Sequence, residues 1–218
     1  MKILILGATG RTGKYLLNEA LARGYDVSVL VRDTSKMSVQ SEELTVFEGT
    51  PTDKDSLKKA AQDCEAILSA LNISRTSDFP WAKLRTPTDF LSQTMRNIIE
   101  VSRKEQVKRI IVTTAWGVGE TRGEIPGWFR WLIENSNIRY PYEDHEKQEN
   151  LLKETELDWT VVRPVGLTNS LKEREITVSF ANQPRPKLTV SRLNAAKFML
   201  DALENHSFIR KCPVISEK

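Results

Sequence analysis

The stretch that decides the fold is KILIL at Lys2–Leu6, followed at once by GATGRTG at Gly7–Gly13. The next residues, Lys14–Arg23, are predicted to form a helix, and Val27–Val31 is a second apolar run. A strand, a glycine-rich turn, a helix and a second strand form the βαβ arrangement that binds the phosphates of a dinucleotide.

The three glycines of this turn have separate roles in such a site. Gly7 permits a tight turn after the strand, and Gly10 lets backbone approach a pyrophosphate. Gly13 lets the helix pack closely on the strand. The first N–H groups of the helix, with its partial positive charge, then face the phosphates. A glycine triplet alone is also typical of an ordinary flexible loop, but the flanking strand and helix favour the phosphate site.

The residue after the second strand indicates which dinucleotide is bound. NAD-preferring sites carry an acidic residue there that bonds the ribose 2′-hydroxyl, whereas this chain has Arg32. A guanidinium pairs with the oxygens of a 2′-phosphate. The sequence therefore predicts NADP(H) in preference to NAD(H). The alternative is that Arg32 is an exposed arginine in a basic loop.

Length and charge limit the classes of partner. A chain of 218 residues suits one domain, 1–218, and its 32 basic and 29 acidic residues give a net charge of +3. That balance predicts neither a nucleic-acid nor a membrane partner, and it indicates no particular oligomeric state. The N-terminus enters a core strand directly, and no apolar stretch approaches the roughly 20 residues of a membrane span. We expect a cytoplasmic protein without a signal peptide.

Cysteine and histidine are scarce. Cys64 and Cys212 lie far apart without a C-x-x-C motif, so we expect buried thiols rather than a disulfide or a metal site. The only histidines are His145 and His206, which excludes a histidine-rich metal centre. No metal site is predicted.

Strands and helices continue to alternate beyond the first unit. Further strands are predicted at Leu44–Glu48, Glu65–Leu71, Lys108–Thr114 and Leu157–Arg163, and helices at Asp55–Asp63, from Thr88 onward and at Tyr142–Thr155. The last of these helices is expected to direct its leucines inward and its Glu and Lys residues outward. This alternation predicts βαβ units, a parallel sheet and right-handed crossovers.

The last quarter of the chain has a different pattern. Short strands are predicted at Glu175–Phe180 and Lys187–Val190, a helix capped by Ser191 and continuing to about Asn205, and a final strand at Phe208–Ile215. We interpret it as a small C-terminal elaboration of the same domain, beginning near residue 165 and contributing to the substrate side.

Several motifs resemble those of the atypical short-chain dehydrogenase/reductase superfamily. They are GATGRTG at Gly7–Gly13, VLVRD at Val29–Asp33, LDWTVVRP at Leu157–Pro164 and SRLNAA at Ser191–Ala196. Glu143–His145 with Leu151–Glu154 is similar to a stretch in the branch that contains biliverdin IX-beta reductase (flavin reductase) and the NmrA-like NAD(P)-binding proteins.

The resemblance implies an α/β, Rossmann-like, doubly wound fold with a mainly parallel sheet of order 3-2-1-4-5-6. NADP(H) would lie across the carboxyl ends of the strands. The residues implied at the cofactor are Gly7, Thr9, Gly10, Arg11, Thr12 and Gly13 at the pyrophosphate, Arg32 with Arg11 at the 2′-phosphate, Thr50 near the adenine, Leu71 and Asn72 at the nicotinamide ribose, Thr113 at the end of the fifth strand, and Pro164 and Val165 behind the nicotinamide ring. Many relatives have an aspartate where this chain has Thr50.

The chain departs from the superfamily at its usual catalytic pair, Tyr-x-x-x-Lys. Tyr140 is followed four residues later by Asp144, and Tyr142 by Glu146. An acid in the lysine position raises a tyrosine pKa instead of lowering it. Tyrosine-catalysed carbonyl reduction is therefore not supported. The flavin and biliverdin reductase branch also lacks the pair, and hydride transfer there needs little beyond positioning.

Two residues are candidates for a catalytic role. Thr114, at the end of the fifth strand, is placed to orient a carboxamide or a substrate carbonyl, or else is a hydroxyl satisfied by backbone. His145 is a candidate proton donor, with a solvated imidazole on a helix surface as the alternative.

Aromatic residues suggest where a planar substrate binds. Trp116, Trp128 and Trp131, with Phe129, follow the end of a strand, where the crevice of an open α/β sheet lies. We predict that these tryptophans line a pocket for a small planar substrate. The alternative is a hydrophobic plug packed against the body of the domain. Residues Ile73–Pro87 are predicted to form the other wall.

The leading functional hypothesis is an NADPH-dependent reductase that moves hydride to a flavin, quinone or tetrapyrrole-like acceptor. A catalytically inactive NADP(H)-binding redox sensor of the NmrA type is the alternative. A nucleotide-sugar epimerase or dehydratase is a weaker one, because such enzymes need the tyrosine and lysine pair.

The cofactor prediction is tested at Arg32. We expect Arg32→Ala to raise the Michaelis constant for NADPH far more than that for NADH, because only NADPH carries the 2′-phosphate. Steady-state kinetics with both cofactors measures this, and equal effects on the two would contradict the assignment.

Overall fold

The computed structural model describes all of residues 1–218 and is built on one large sheet. Its first six strands are β1 Lys2–Leu6, β2 Asp26–Val31, β3 Leu44–Glu48, β4 Ala66–Ser69, β5 Arg109–Thr113 and β6 Asp158–Pro164. They are parallel and lie in the order β3-β2-β1-β4-β5-β6. The predicted doubly wound fold with order 3-2-1-4-5-6 is therefore confirmed.

Four short strands follow in the last quarter. They are β7 Gly166–Thr168, β8 Ile176–Ser179, β9 Thr189–Ser191 and β10 Val214–Glu217. β10 pairs in parallel with β6, and β8 pairs antiparallel with β10, so both extend the main sheet to eight strands. β7 and β9 form a separate parallel pair.

Six helices cover the two faces of the sheet. They are α1 Gly13–Ala22, α2 Lys54–Ala61, α3 Phe90–Lys104, α4 Gly127–Glu134, α5 Arg139–Lys153 and α6 Arg192–Glu204. Along β1, Ile3 and Ile5 enter a core shared with α1 and α6, whereas Leu4 and Leu6 enter a core shared with α2, α3 and α5. Parallel strands buried on both faces need such continuous apolar runs.

Side-chain caps begin several helices. Asp53 accepts the N–H of Ser56 (3.2 Å) at α2, and Ser191 accepts that of Asn194 (3.1 Å) at α6, as their positions in the sequence predict. α3 is capped from another helix, because Asp144 of α5 accepts the N–H of Leu91 at 2.7 Å. This contact joins the start of α3 to α5.

Two predicted boundaries are wrong. The final strand does not begin at Phe208, because Phe208 and Arg210 have positive φ angles (58° and 54°) that interrupt an extended chain; β10 begins at Val214. α5 begins at Arg139, three residues before the predicted Tyr142. No helix has the length and apolar sequence needed to span a membrane. Both cysteines are free, with Cys64 buried and Cys212 partly so.

Among the glycines, Gly13 has the least room for a side chain, where α1 meets the turn after β1. A Cβ added at Gly13 would lie 1.9 Å from the carbonyl oxygen of Gly7. That oxygen also accepts the N–H of Gly10 at 2.8 Å. Gly13 is therefore required by packing, as the spacing of the glycines predicts.

We expect Gly13→Ala to lower the free energy of unfolding by at least about 2 kcal/mol, because a new Cβ must displace backbone. Chemical denaturation measures this. Gly127→Ala is the matched control, since a Cβ there meets no atom within 4 Å. Equal stability of the two variants would contradict the packing argument.

Candidate functional site

A cleft of about 710 Å³ opens where the strands of the main sheet reach their carboxyl ends. This size is within the range of small-molecule sites. The turn after β1, the residues after β4 and part of α5 all contribute to its lining. The arrangement follows from the parallel sheet, which brings the ends of β1, β2, β4, β5 and β6 to one edge.

Most residues implied at the cofactor line this cleft. They are Gly7, Thr9, Gly10, Arg11, Thr12, Arg32, Leu71, Asn72, Pro164 and Val165. Gly13, Thr50 and Thr113 do not. Gly13 packs beneath the turn, the Thr50 hydroxyl pairs with that of Thr52 (3.0 Å), and the Thr113 hydroxyl donates to the carbonyl of Ser69 (3.4 Å). Pro51, beside Thr50, lines the cleft instead.

The turn after β1 fits a dinucleotide pyrophosphate. The backbone N–H groups of Arg11, Thr12 and Gly13 donate no hydrogen bond within the chain. The side chain of Thr12 makes no capping bond either. The start of α1 therefore presents free donors and a partial positive charge to an anion.

Arg32 lies in the cleft with its charge uncompensated. It is exposed and makes no ion pair, because the neighbouring carboxylate of Asp33 pairs with Lys36 (3.1 Å) and accepts from Ser35. Arg11 differs. Its guanidinium makes a two-point ion pair with Asp78, both contacts at 2.9 Å. The structure thus directs Arg11 toward Asp78, and its implied contact with the 2′-phosphate remains an expectation.

Residues Ile73–Pro87, which we call the strap, form the predicted second wall. Six residues of the strap line the cleft: Ile73, Ser74, Arg75, Ser77, Asp78 and Thr86. The indole of Trp81 donates to the carbonyl of Asn135 at 2.8 Å, and Asn137 donates to the carbonyl of Trp81 at 3.0 Å. These contacts tie the strap to the junction of α4 and α5.

None of the three tryptophans predicted at the substrate pocket lines the cleft. Trp116 is buried in the core, and its indole N–H points to Glu124 (3.4 Å). Trp128 and Trp131 are 68% and 59% exposed, because α4 buries Ile133 and leaves its opposite face in solvent. Trp128 and Trp131 are too exposed to form the hydrophobic plug that was the alternative, so that alternative is also wrong for them. The aromatic rings that do line the cleft are Phe90 and Tyr142.

His145 lies in the cleft and not on a solvated surface. Its side chain is 3% exposed, and Nδ1 is buried without a hydrogen-bond partner. Burial lowers the pKa of His145 to about 4, so the imidazole is neutral at physiological pH. The solvated alternative is wrong because α5 turns this residue inward together with Asp144, Gln148 and Glu149.

Thr114 also lines the cleft, but its proton is already used. Its hydroxyl donates to Glu149 Oε1 at 2.7 Å. The alternative of satisfaction by backbone is wrong, because the partner is a buried carboxylate.

Glu149 belongs to a buried charged network that the sequence pattern of α5 does not predict. Glu149 and Arg163 are each 1% exposed and paired, with Arg163 Nε donating to Glu149 Oε1 at 3.0 Å. Arg163 also donates to both oxygens of Glu120, at 2.7 and 3.0 Å. Burial disfavours the Arg163 charge, but these two carboxylates outweigh it and raise its pKa. Hydrogen bonding from Arg163 lowers the pKa of Glu120 to about 2.

The network corrects the expectation that α5 directs its Glu residues outward. Arg163, alone within an apolar strand, was the available signal that a buried acid lies opposite. Glu120 lies in the turn Gly119–Gly123, so the network fixes the chain that leaves β5 beside the cleft. Replacing only one member of the Glu149–Arg163 pair is expected to destabilise the fold, because the other member would remain as an unpaired buried charge.

Tyr142 lines the cleft without a cation beside it. Burial raises its pKa above the usual range, and its hydroxyl donates to the carbonyl of Trp116 at 3.4 Å. The residue at the position of the usual lysine is Glu146, which is exposed. This geometry gives Tyr142 no means of becoming a stronger acid.

Comparison with known proteins adds the family. An uncharacterised chloroplastic protein of Arabidopsis thaliana is 27% identical over 180 residues, which are 77% of this chain and 60% of that protein. The photosystem II assembly factor Ycf39 of Synechocystis is 22% identical over 227 residues, 100% of this chain and 63% of that factor. The chain thus spans about three fifths of the length of these two curated relatives.

Solved structures share the fold. A short-chain dehydrogenase/reductase from Veillonella parvula, in complex with NADP, has a TM-score of 0.81 at 20% identity and covers 99% of this chain and 94% of its own. ChuY, an anaerobilin reductase from Escherichia coli O157:H7, has a TM-score of 0.79 at 17% identity and covers 100% and 97%. The profile of the family described as NAD(P)H-binding matches residues 7–206. The chain therefore belongs to this NAD(P)H-binding family.

Proposed function

We propose that the chain is an NADPH-dependent reductase that transfers hydride to a planar acceptor such as a flavin, a quinone or a tetrapyrrole. The observation that carries this proposal is that one cleft is lined both by the phosphate-binding turn and by aromatic and aliphatic side chains. Its lining includes Phe90, Ile138, Pro141, Tyr142 and His145. Aromatic and aliphatic faces of this kind suit a flat ring system.

The preference for NADPH is supported by Arg32. Its guanidinium lies in the cleft, is free of any carboxylate, and follows β2 at the position that contacts the ribose in such sites. When bound, the cofactor supplies the hydride. The free N–H groups of Arg11–Gly13 would hold its pyrophosphate, and Pro164 and Val165 would limit where its nicotinamide lies.

Around the acceptor, the protein acts mainly by positioning the substrate and excluding water, and less by transferring protons. Tyr142 has a raised pKa and no lysine partner, and His145 is neutral. A neutral imidazole still offers one N–H donor to an acceptor atom. Tyr142 and His145 are therefore compatible with hydride transfer that depends on holding the acceptor ring beside the nicotinamide and on excluding water.

The reductase is tested by following NADPH oxidation with FMN, FAD, a quinone and biliverdin in turn. We expect turnover with at least one acceptor and its loss in Gly10→Val, because a side chain there blocks the approach of the pyrophosphate. Gly127→Ala is the control for an unrelated glycine, since its surroundings are open. Tight NADPH binding without turnover across the panel would favour the NmrA-type sensor instead.

The state of His145 is tested by pH. Its folded pKa of about 4 lies below its ordinary value of 6.5, so the unfolded chain binds the extra proton first as pH falls. Stability from this residue is therefore complete above pH 6.5 and falls between 6.5 and 4, by up to about 3 kcal/mol. We expect His145→Gln to flatten the pH dependence of the unfolding free energy across this window. Parallel curves for wild type and variant would show that His145 is not held neutral.

A further inference from the structure

Arg192, the first residue of α6, is a buried cation without a counterion. It is 8% exposed and lines the cleft. Its Nη1 donates to the carbonyl of Leu167 (3.3 Å) and to the side-chain oxygen of Asn169 (2.7 Å), and both acceptors are neutral. No carboxylate lies within ion-pair distance of it. A charge buried in this way is unfavourable unless a partner arrives.

A second cation faces the same space from the strap. Arg75 is half-buried, lines the cleft and donates through Nη1 to the carbonyls of Phe79 and Pro80, both at 3.1 Å. It also lacks an ion-pair partner. Arg11 is the third cation, and the carboxylate it pairs with, Asp78, belongs to the strap.

The three arginines and Asp78 all line the same cleft, and we call these four residues the arginine cluster. Hydrogen bonding from Arg11 lowers the pKa of Asp78, and the charges of Arg75 and Arg192 lower it further. Burial lowers the pKa of Arg192, the charge of Arg11 adds to this effect, and that of Asp78 opposes it. Three positive charges and one negative charge leave the cluster with a net charge of +2. The cluster is therefore short of negative charge.

We propose that Arg11, Arg75 and Arg192 bind an anionic group of the acceptor, a carboxylate or a phosphate, and that Asp78 occupies this position when no acceptor is bound. This proposal rests on the proposed reductase function and narrows it to planar acceptors that carry an anion. Guanidinium groups bind carboxylates and phosphates through paired N–H donors, which is the contact that Arg11 already makes with Asp78.

The position of the cluster favours the acceptor over the cofactor. The pyrophosphate has its own donors in the backbone of Arg11–Gly13, and the 2′-phosphate has Arg32. Arg75 and Arg192 come from the strap and from α6, outside the βαβ unit that forms those subsites.

Two matched pairs of ligands isolate the anion: biliverdin with its dimethyl ester, and FMN with riboflavin. Binding of each to the protein saturated with NADP⁺ is measured by calorimetry, which needs no turnover. We expect the charged member to bind at least tenfold more tightly in one or both pairs. Arg192→Gln and Arg75→Gln should each reduce that ratio at least fivefold, with little effect on the neutral member.

Asp78→Asn should act in the opposite direction and tighten binding of the charged member severalfold, because it removes the competing carboxylate. Arg103→Gln is the charge-matched control: Arg103 is exposed near the end of α3, has no ion-pair partner, and should leave the ratio unchanged. Thermal unfolding identifies any variant that fails to fold. If Arg192→Gln is one, Arg75→Gln and Asp78→Asn still decide the question.

The proposal is overturned by equal affinity for the charged and neutral members of both pairs, or by no binding of either charged probe. It is also overturned if the arginine variants weaken NADP⁺ and leave the ratios unchanged, since the cluster would then serve the cofactor. Binding without turnover of any acceptor would contradict the reductase and not the anion site.

Discussion

The structure depends on the contact between Gly13 and the carbonyl of Gly7. Because no side chain separates them, α1 starts directly against the turn that ends β1, and its first N–H groups face the cleft. α1 in turn packs on α6, which carries Arg192 to the other side of the same space. A contact with no room for a methyl group thereby fixes both the phosphate-binding turn and the position of a cation far along the chain.

The sequence predicts those parts of the fold that depend on residues close together in the chain. The strands β1, β4 and β5 contain continuous apolar runs, α2 and α6 begin with capping residues, and α3 shows its buried face in Phe90, Leu91 and Met95. The phosphate-binding turn is equally local. Each of these features needs only neighbours within one or two helical turns, so the residues carry the information themselves.

The remaining features of the cleft and its surroundings are harder to predict from the sequence, because they come from contacts between distant residues. The sequence of α5 predicts that Glu149 lies on the surface, whereas in the structure it is buried and paired with Arg163 of β6. Trp128 and Trp131 share a face of α4, but nothing local says that this face is turned to solvent. Arg192 lies within a recognisable motif, yet its lack of a counterion appears only when the strap and β7 are in place.

The hydrogen bond from Thr114 to Glu149 gives the cleft a fixed polarity. With its only proton committed to the carboxylate, the hydroxyl has lone pairs alone to offer to a ligand. A ligand atom that bears hydrogen is favoured beside the end of β5, and a carbonyl oxygen is repelled. In the proposed reductase, electron density that builds up on the acceptor would therefore be better placed toward the neutral imidazole and the arginines than toward the sheet. The buried ion pair of Glu149 and Arg163 thus sets the hydrogen-bonding character of the cleft at Thr114.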